Sequence, residues 1–376
     1  GSQAELAAKQ AFYNRFDIAG AQAYRDWLAV EPDDLEALYD LGQVYSRQEQ
    51  WDKARPMYER TLELLPAHFR ARQSLEKLAL VSTRPFMDGG FEIADAKSSS
   101  RSVDRHYTLY YAALRLPVTQ DFAVRLRQEQ ASYHFSDLDH VRRRTDTAVL
   151  EYCAKPHFWG RAGYSYNAYS DGIENSHTFF EEANFRPHDM AVVTLSHNRR
   201  DVIENSRTLR RDLQKDDYLG RLDFTPQRRL ALGADYQYSN YTDSNNRRAY
   251  GADLSYWITF EPTSLMFFYR YEQYAFDKRK NDYFSPACFH YNKLGLEFRQ
   301  FLNREELFWG INETYVSFRY WLIYEPHSQR GHAFYADFHH DFTSRLAAHV
   351  ECRRTLYEDQ SMYKDQQITG YLRYRF

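Results

Sequence analysis

The fold is decided by residues 230–260, which read LALGADYQYSNYTDSNNRRAYGADLSYWITF. In 230–238 and again in 250–260, the even-numbered residues are leucine, isoleucine, alanine, tyrosine or phenylalanine. The odd-numbered residues are mostly small or polar, with Trp257 as an exception. Successive side chains of a β-strand point to opposite faces. The two stretches therefore predict neighbouring strands, each with one apolar and one polar face, joined by the polar segment 239–247.

The same alternation extends over residues 85–376, and two kinds of connection alternate between the predicted strands. Short connections are expected near Pro117, Pro156, Pro187, Pro226, Pro262, Asn303 and Ser344. The other connections are polar and often longer: 98–103, 136–143, 170–176, 199–217, 239–247, 277–286, 326–330 and 357–365. Short turns at one end and long polar loops at the other are typical of outer-membrane barrels. We predict an antiparallel transmembrane β-barrel of about 16 strands over 85–376, with both of its termini at the short-turn end.

The composition agrees with a membrane barrel. Aromatic residues make up 17% of the chain, with 32 Tyr and 26 Phe, and tyrosine suits membrane interfaces. No uninterrupted apolar run of about 18 residues is present, so no transmembrane helix is encoded. A mean hydropathy of −0.75 fits a barrel, because only alternate residues need to be apolar. A soluble β-rich domain has a similar composition, and the alternating connection lengths favour the membrane barrel.

Several function classes are disfavoured. The net charge of −3 gives no bulk attraction to nucleic acid, so no nucleic-acid partner is expected. Cys153, Cys288 and Cys352 lack metal-type spacing and are predicted to be structural. There is no nucleophile elbow, phosphate loop, zinc pattern or calcium loop. His339 and His340 would face opposite sides of a strand, so they cannot act together. We expect no enzymatic activity, no cofactor and no metal.

Residues 1–81 have apolar residues at helical spacing, with breaks near Pro32 and Pro66. These prolines are one tetratricopeptide period of about 34 residues apart. Residues 35–68 resemble this repeat family in the following positions: Leu41, Gly42, Tyr45, Ala54, Tyr58 and Pro66, with Leu38 in place of the usual Trp. The preceding repeat is degenerate and keeps Gly20, Tyr24 and Pro32, and a third helix is predicted over 69–80. So few repeats have only marginal stability on their own, because each repeat buries its apolar face against a neighbour. They either form a scaffold for periplasmic partners or merely anchor the start of the barrel.

The last residues, 368–376, also alternate and end in Phe376. A terminal phenylalanine after alternating apolar residues resembles the signal read by the barrel-assembly machinery. This resemblance implies that Phe376 is an assembly signal, with that machinery and outer-membrane lipids as partners.

The polar faces of the strands predict a hydrophilic interior of mixed charge. The basic candidates are Arg125, Arg127, Arg161, Arg221, Arg270, Lys293, Arg299, Arg319, Arg353, Arg373 and Arg375. The acidic candidates are Glu129, Glu151, Asp223, Asp235, Asp253, Glu272, Glu297, Asp337 and Glu351, and the inward aromatic candidates are Trp257, Tyr315, Trp321 and Tyr371. The charges form either structural ion pairs or the lining of a passage for a polar polymer. The longest predicted loop, 199–217, either folds inward as a lid or is solvated.

Helical repeats ahead of a barrel of about 16 strands resemble the outer-membrane proteins of exopolysaccharide export, such as the poly-N-acetylglucosamine porin, the cellulose-export subunit and the Pel protein. The resemblance is one of layout. It implies a polysaccharide pore in the bacterial outer membrane, with its repeats in the periplasm facing synthase components. Two alternatives remain open: a barrel that moves lipoproteins or other proteins to the cell surface, and a phage or ligand receptor with a plugged lumen.

Overall fold

The computed structural model of the chain describes residues 3–82, 84–98, 101, 103–136, 138–153, 155–303, 313–326, 329–357 and 363–376. Five helices come first: α1 (Gln3–Asn14), α2 (Asp17–Val30), α3 (Leu35–Arg47), α4 (Trp51–Leu64) and α5 (Phe69–Ser82). They pack in sequence around fully buried rings such as those of Tyr24 and Tyr58. Gly42 brings α3 close to α4, because a Cβ there would lie 2.6 Å from the Tyr58 ring. Among the described residues, no helix combines the length and apolar character needed to cross a membrane.

Sixteen strands follow the helices. They are β1 (Phe86–Ser98), β2 (Val103–Pro117), β3 (Phe122–Phe135), β4 (Leu138–Tyr152), β5 (Phe158–Tyr169), β6 (Ser176–His188), β7 (Ala191–Asp201), β8 (Gln214–Gln227), β9 (Leu230–Tyr241), β10 (Asn246–Thr259), β11 (Thr263–Phe276), β12 (Phe289–Asn303), β13 (Thr314–Glu325), β14 (Gln329–Asp341), β15 (Leu346–Tyr357) and β16 (Lys364–Arg375), with a short helix α6 (Ser206–Arg210) between β7 and β8.

Each strand pairs antiparallel with its neighbours in sequence, and β1 pairs with β16 to close a barrel. This closing seam runs without a register shift from Phe86 opposite Arg375 to Lys97 opposite Lys364. Closure gives every strand two partners and leaves no unpaired edge. The predicted fold class, short helices followed by an antiparallel barrel of 16 strands, is confirmed.

The lengths of several connections differ from the prediction. β4 begins at Leu138 and β10 at Asn246, so much of 136–143 and part of 239–247 belong to strands. These polar residues continue the hydrogen-bonded ladder beyond the apolar part of the strands, and polarity alone suggested loops. Residues 304–313 separate β12 from β13, so the short turn expected near Asn303 is wrong. Most of that connection lies outside the described residues.

The two faces of the strands differ as the alternation predicts. The large apolar side chains exposed on the strands, such as Leu195 at 60% and Phe318 at 57%, occupy the outward positions. The residues opposite one another across antiparallel strands share a face. Following that register around the barrel keeps the charged candidates together on the other, inward face.

The helices dock against one end of the barrel. We call the end with the connections 118–121, 153–157, 189–190 and 228–229 the turn end, and the opposite end the loop end. The carboxylate of Asp189, in the β6–β7 turn, accepts hydrogen bonds from the backbone N–H groups of Ile18 (2.8 Å) and Ala19 (2.9 Å). These are free donors of the first turn of α2, whose N-cap residue Phe16 makes no side-chain cap. A barrel residue therefore caps a helix of the N-terminal segment.

Candidate functional site

The barrel interior is the candidate site, and the register places the predicted lumen residues on its inward face. These are Arg125, Arg127, Glu129, Arg161, Arg221, Asp223, Asp235, Asp253, Trp257, Arg270, Glu272, Glu297, Arg299, Arg319, Trp321, Asp337, Glu351, Arg353 and Arg373. Most of the charged ones are joined in ion-pair clusters. That they line a passage for a ligand remains a prediction.

The largest cluster crosses β8 to β11. Arg221 contacts Asp223 (2.6 Å), Asp235 (3.1 Å) and Asp253 (2.8 Å), and Arg270 contacts Asp235 and Asp253, each at 3.0 Å. Arg270 also reaches Glu272 at 3.1 Å. Each arginine thus bridges carboxylates on neighbouring strands. Such a network is stiff, because a guanidinium offers several fixed donors at once.

Two glycines make this network possible. A Cβ at Gly233 would lie 2.5 Å from an Asp253 oxygen and closer still to the Arg221 guanidinium. A Cβ at Gly251 would lie 2.6 Å from an Asp235 oxygen and 2.7 Å from Arg270. The Arg221–Asp253 pair therefore passes over Gly233, and a larger residue there would have to push these side-chain ends aside.

Smaller clusters cover the rest of the wall. They include the pairs Arg125–Asp88 (2.6 Å), Arg373–Asp88 (3.6 Å), Arg115–Glu151 (2.6 Å), Arg127–Glu129 (2.6 Å), Arg143–Glu129 (3.4 Å), Arg161–Glu182 (2.9 Å), Arg299–Glu297 (3.0 Å), Arg319–Glu297 (2.5 Å) and Arg353–Asp365 (2.6 Å). Asp337 lies opposite Glu351 in the register and accepts from Ser317. The structure thus supplies the ion pairs that the sequence allowed, and among the residues that had not been singled out it adds Asp88, Arg115, Arg143, Glu182 and Asp365.

The loop between β7 and β8, residues 202–213, folds into the barrel. Ile203 and Leu209 pack in one apolar cluster with Leu109 and Tyr133, which belong to the inward faces of β2 and β3. Arg105 of β2 donates a hydrogen bond to the Ile203 carbonyl at 2.8 Å. Of the two alternatives for the predicted loop 199–217, the inward one agrees with this packing.

A short helix and a second loop hold residues 202–213 in place. Asn205 and Thr208 form a capping box at the start of α6. The Asn205 side chain also donates to the Asp282 carbonyl at 2.6 Å, in the loop 277–288. Tyr283 of that loop stacks on Tyr241 with ring centroids 5.0 Å apart. The two loops thus form one packed unit inside the loop end of the barrel, which we call the plug.

The plug contains a half-buried carboxyl group. The Oε2 atom of Glu204 accepts from the Phe284 backbone N–H at 3.4 Å, and its own carbonyl accepts from the Asp104 N–H at 3.1 Å. Burial raises the pKa of the Glu204 carboxyl, although Lys215 and Arg105 lower it in part.

A chamber of about 810 Å³ lies between the helices and the turn end. Arg15, Asp17 and Arg47 of the N-terminal segment line it on one side, and Arg115 and Asp223 of the barrel line it on the other. Arg47 pairs with Asp17 at 2.5 Å. Burial raises the pKa of Asp17 even though Arg47 opposes this, and burial lowers the pKa of Arg15 to about 10. The inward face of the barrel is therefore continuous with a charged chamber beneath it.

His339 and His340 do not form a joint site. His339 is on the inward face, stacked on Tyr315 at 5.3 Å, whereas the ring nitrogen of His340 lies 2.8 Å from the Thr314 hydroxyl on the outward face. Within the described part of the chain, no group of three or more His, Cys, Asp or Glu side chains could hold a metal ion. The three cysteines are free thiols.

Comparison with known proteins adds a fold similarity. No protein-family model and no curated protein matches the sequence. A solved structure described as a bacterial polysaccharide outer membrane secretin superposes with a TM-score of 0.64 at 12% identity, covering 79% of this chain and 99% of that one. OccK11 (OpdR) of Pseudomonas aeruginosa and an anion-selective porin from Comamonas acidovorans each match at a TM-score of 0.41 and 9% identity, covering 78% of this chain and 95% and 98% of theirs. The first similarity shows a shared barrel fold.

Proposed function

We propose that this chain is an outer-membrane pore that exports a polysaccharide, with its helices forming a tetratricopeptide-like scaffold in the periplasm. The observation that carries the proposal is a barrel whose outward face is apolar and whose inward face is hydrogen-bonding and charged. A lipid bilayer would solvate the first face, and a hydrated polymer would meet the second. The barrel fold is shared with a structure described as a polysaccharide secretin, which makes a saccharide the first substrate to test.

The position of the helices supports the periplasmic part of the proposal. They dock at the turn end, where the barrel also begins and ends: the Phe376 N–H donates to the Pro85 carbonyl at 3.0 Å. In outer-membrane barrels the short turns face the periplasm. The charged chamber between helices and barrel would then receive the polymer before it enters the lumen. Synthase components would bind the exposed surfaces of the helices, and the barrel-assembly machinery would read Phe376.

One alternative also has an observation in its favour. The plug fills part of the loop end, which suits a receptor barrel with a closed lumen. Lateral release of a protein would require an opening seam, yet β1 and β16 are paired over almost their whole length. The paired seam gives protein translocation less support than a gated pore or a closed receptor.

Single-channel conductance in planar bilayers separates these two functions. The full chain should be compared with a variant in which residues 202–213 are replaced by a short glycine-serine linker. We expect the variant to conduct steadily and oligosaccharides to block that current. A variant that stays silent while running as a folded, heat-modifiable barrel would contradict the pore. A full chain that never opens, beside a variant whose current no oligosaccharide blocks, would favour the receptor.

A further inference from the structure

An aromatic cavity lies beside the plug in the outer half of the barrel. It has a volume of about 310 Å³ and lies against the inward faces of β11 to β16. Its lining includes Trp321 together with Tyr291, Tyr335, Tyr357 and Tyr363. The apolar clusters of the plug include residues of β2 to β5, β9 and β11, so this cavity is space that the plug leaves along the remaining wall.

Trp321 is held rigidly in this wall. Its ring centroid lies 3.9 Å from that of Phe268, and the Phe268 ring passes over Gly295, where a Cβ would overlap that ring. The buried indole Nε1–H of Trp321 has no hydrogen-bond partner among the described residues. An unsatisfied buried donor is unfavourable, and a ligand oxygen would relieve it.

Of the charged side chains that line the cavity, two arginines form ion pairs with described residues and Lys293 does not. Arg101 pairs with Glu325, and Arg353 pairs with Asp365 at 2.6 Å. The Lys293 Nζ atom lies 4.6 Å from the Tyr291 ring centroid and 5.7 Å from that of Trp321. No carboxylate of the described residues forms an ion pair with it. Lys293 is thus a cationic donor available for an acceptor, and it would repel a second cation.

We infer that this cavity is a saccharide subsite, which binds one sugar unit through an oxygen acceptor and excludes an ammonium group. A sugar ring has an apolar C–H face that suits aromatic rings, and it has hydroxyls at its edge that suit fixed donors. Trp321 supplies both the ring and an N–H donor, and Lys293 faces a hydroxyl, acetamide carbonyl or carboxylate oxygen. The inference rests on the proposed function and adds a position and a chemical preference to it.

Equilibrium binding tests the subsite without requiring an open pore. The detergent-solubilised full chain would be titrated calorimetrically with a β-linked N-acetylglucosamine tetramer and with the corresponding deacetylated glucosamine tetramer. We expect the acetylated tetramer to bind about tenfold more tightly than its cationic counterpart. Trp321→Phe removes one hydrogen bond and should weaken binding by about 3- to 10-fold. Lys293→Gln should reduce the preference for the acetylated sugar.

Trp159→Phe is the matched control, because it makes the same ring exchange near the turn end, beside Lys155 and Arg186, and should bind both sugars as the wild type does. All variants are compared only after their heat-modifiable migration matches that of the wild type. The subsite is refuted if neither tetramer binds, if the deacetylated tetramer binds at least as tightly, or if Trp321→Phe and Lys293→Gln leave binding unchanged. If the tetramer binds at Trp321 but no saccharide blocks conductance in the variant lacking 202–213, the export pore fails and the subsite stands.

Discussion

The contact between Asp189 and helix α2 allows a quantitative test of how the helices are held on the barrel. Asp189→Ala removes the carboxylate that accepts from the N–H groups of Ile18 and Ala19. Loss of a helix cap costs about 1 kcal/mol, and loss of a negative charge at a helix N-terminus costs about another 0.3–1 kcal/mol. We expect a total of about 2 kcal/mol, which is roughly a 30-fold rise in the ratio of undocked to docked segment.

The remaining contacts should keep the segment partly docked in this variant. The Gln50 side chain donates to the Lys155 carbonyl at 2.8 Å, and Lys155 pairs with Glu49. Asp189→Asn retains an acceptor without the charge and should lie between the wild type and the alanine variant. Ranking the three proteins by their docked fraction separates the contribution of the hydrogen bonds from that of the negative charge.

The docking equilibrium can be measured by electron–electron resonance between two spin labels, one at Ala29 and one at Gln120 in the β2–β3 turn. The labels are placed in a background without the native cysteines, and urea is added until docked and undocked distances are both populated. The control is Asp33→Ala, which removes an exposed pair with Arg60 at 2.7 Å. Equal docking in the Asp189→Ala and control proteins would refute the proposed cap.

Three further outcomes follow from the interior. Gly233→Ala should lower the free energy of unfolding of the barrel in urea by about 1–2 kcal/mol, because its Cβ displaces the partly exposed Arg221 guanidinium. The control Gly220→Ala should be nearly neutral, because its Cβ would lie 3.7 Å from its nearest neighbour. Equal effects of the two substitutions would contradict the packing argument. Replacing 202–213 by a short linker should raise single-channel conductance several-fold, whereas an unchanged current would mean that the plug is not the barrier. Burial raises the pKa of Glu204, so the plug is most stable with this carboxyl protonated and loses stability as the pH rises through that pKa. Channel opening should therefore increase with pH in the wild type but not in Glu204→Gln. An identical pH dependence in both proteins would exclude Glu204 as the titrating group.

The strands and their inward faces were predictable because the signal is local. A strand alternates its side chains with a period of two, so the face on which Asp235 and Asp253 lie can be predicted from their immediate neighbours in the sequence. The alternation also predicted the number of strands. Strand ends were less predictable, because Arg142 and Arg143 extend β4 by backbone hydrogen bonds that do not depend on apolar side chains.

The plug and the docking contact could not be predicted, because they join residues far apart in the chain. Nothing near Arg105 in the sequence indicates that it binds the carbonyl of Ile203, and Asp189 resembles any other turn aspartate. The composition of 199–217 fits both a solvated loop and an inward one. Only the barrel brings the inward face of β2 within reach of Ile203 and Leu209.

The glycines beneath the arginine network have a consequence for how this barrel can diverge. Gly233 lies beneath the Arg221–Asp253 pair, and Gly251 lies beneath the Arg270–Asp235 pair. A side chain at either position fits without displacing these charges only when the arginine above it is replaced by a shorter residue. In related barrels we therefore expect positions 221 and 233 to change together, and the same for 270 and 251. Such paired substitutions would mark barrels with a wider and differently charged interior.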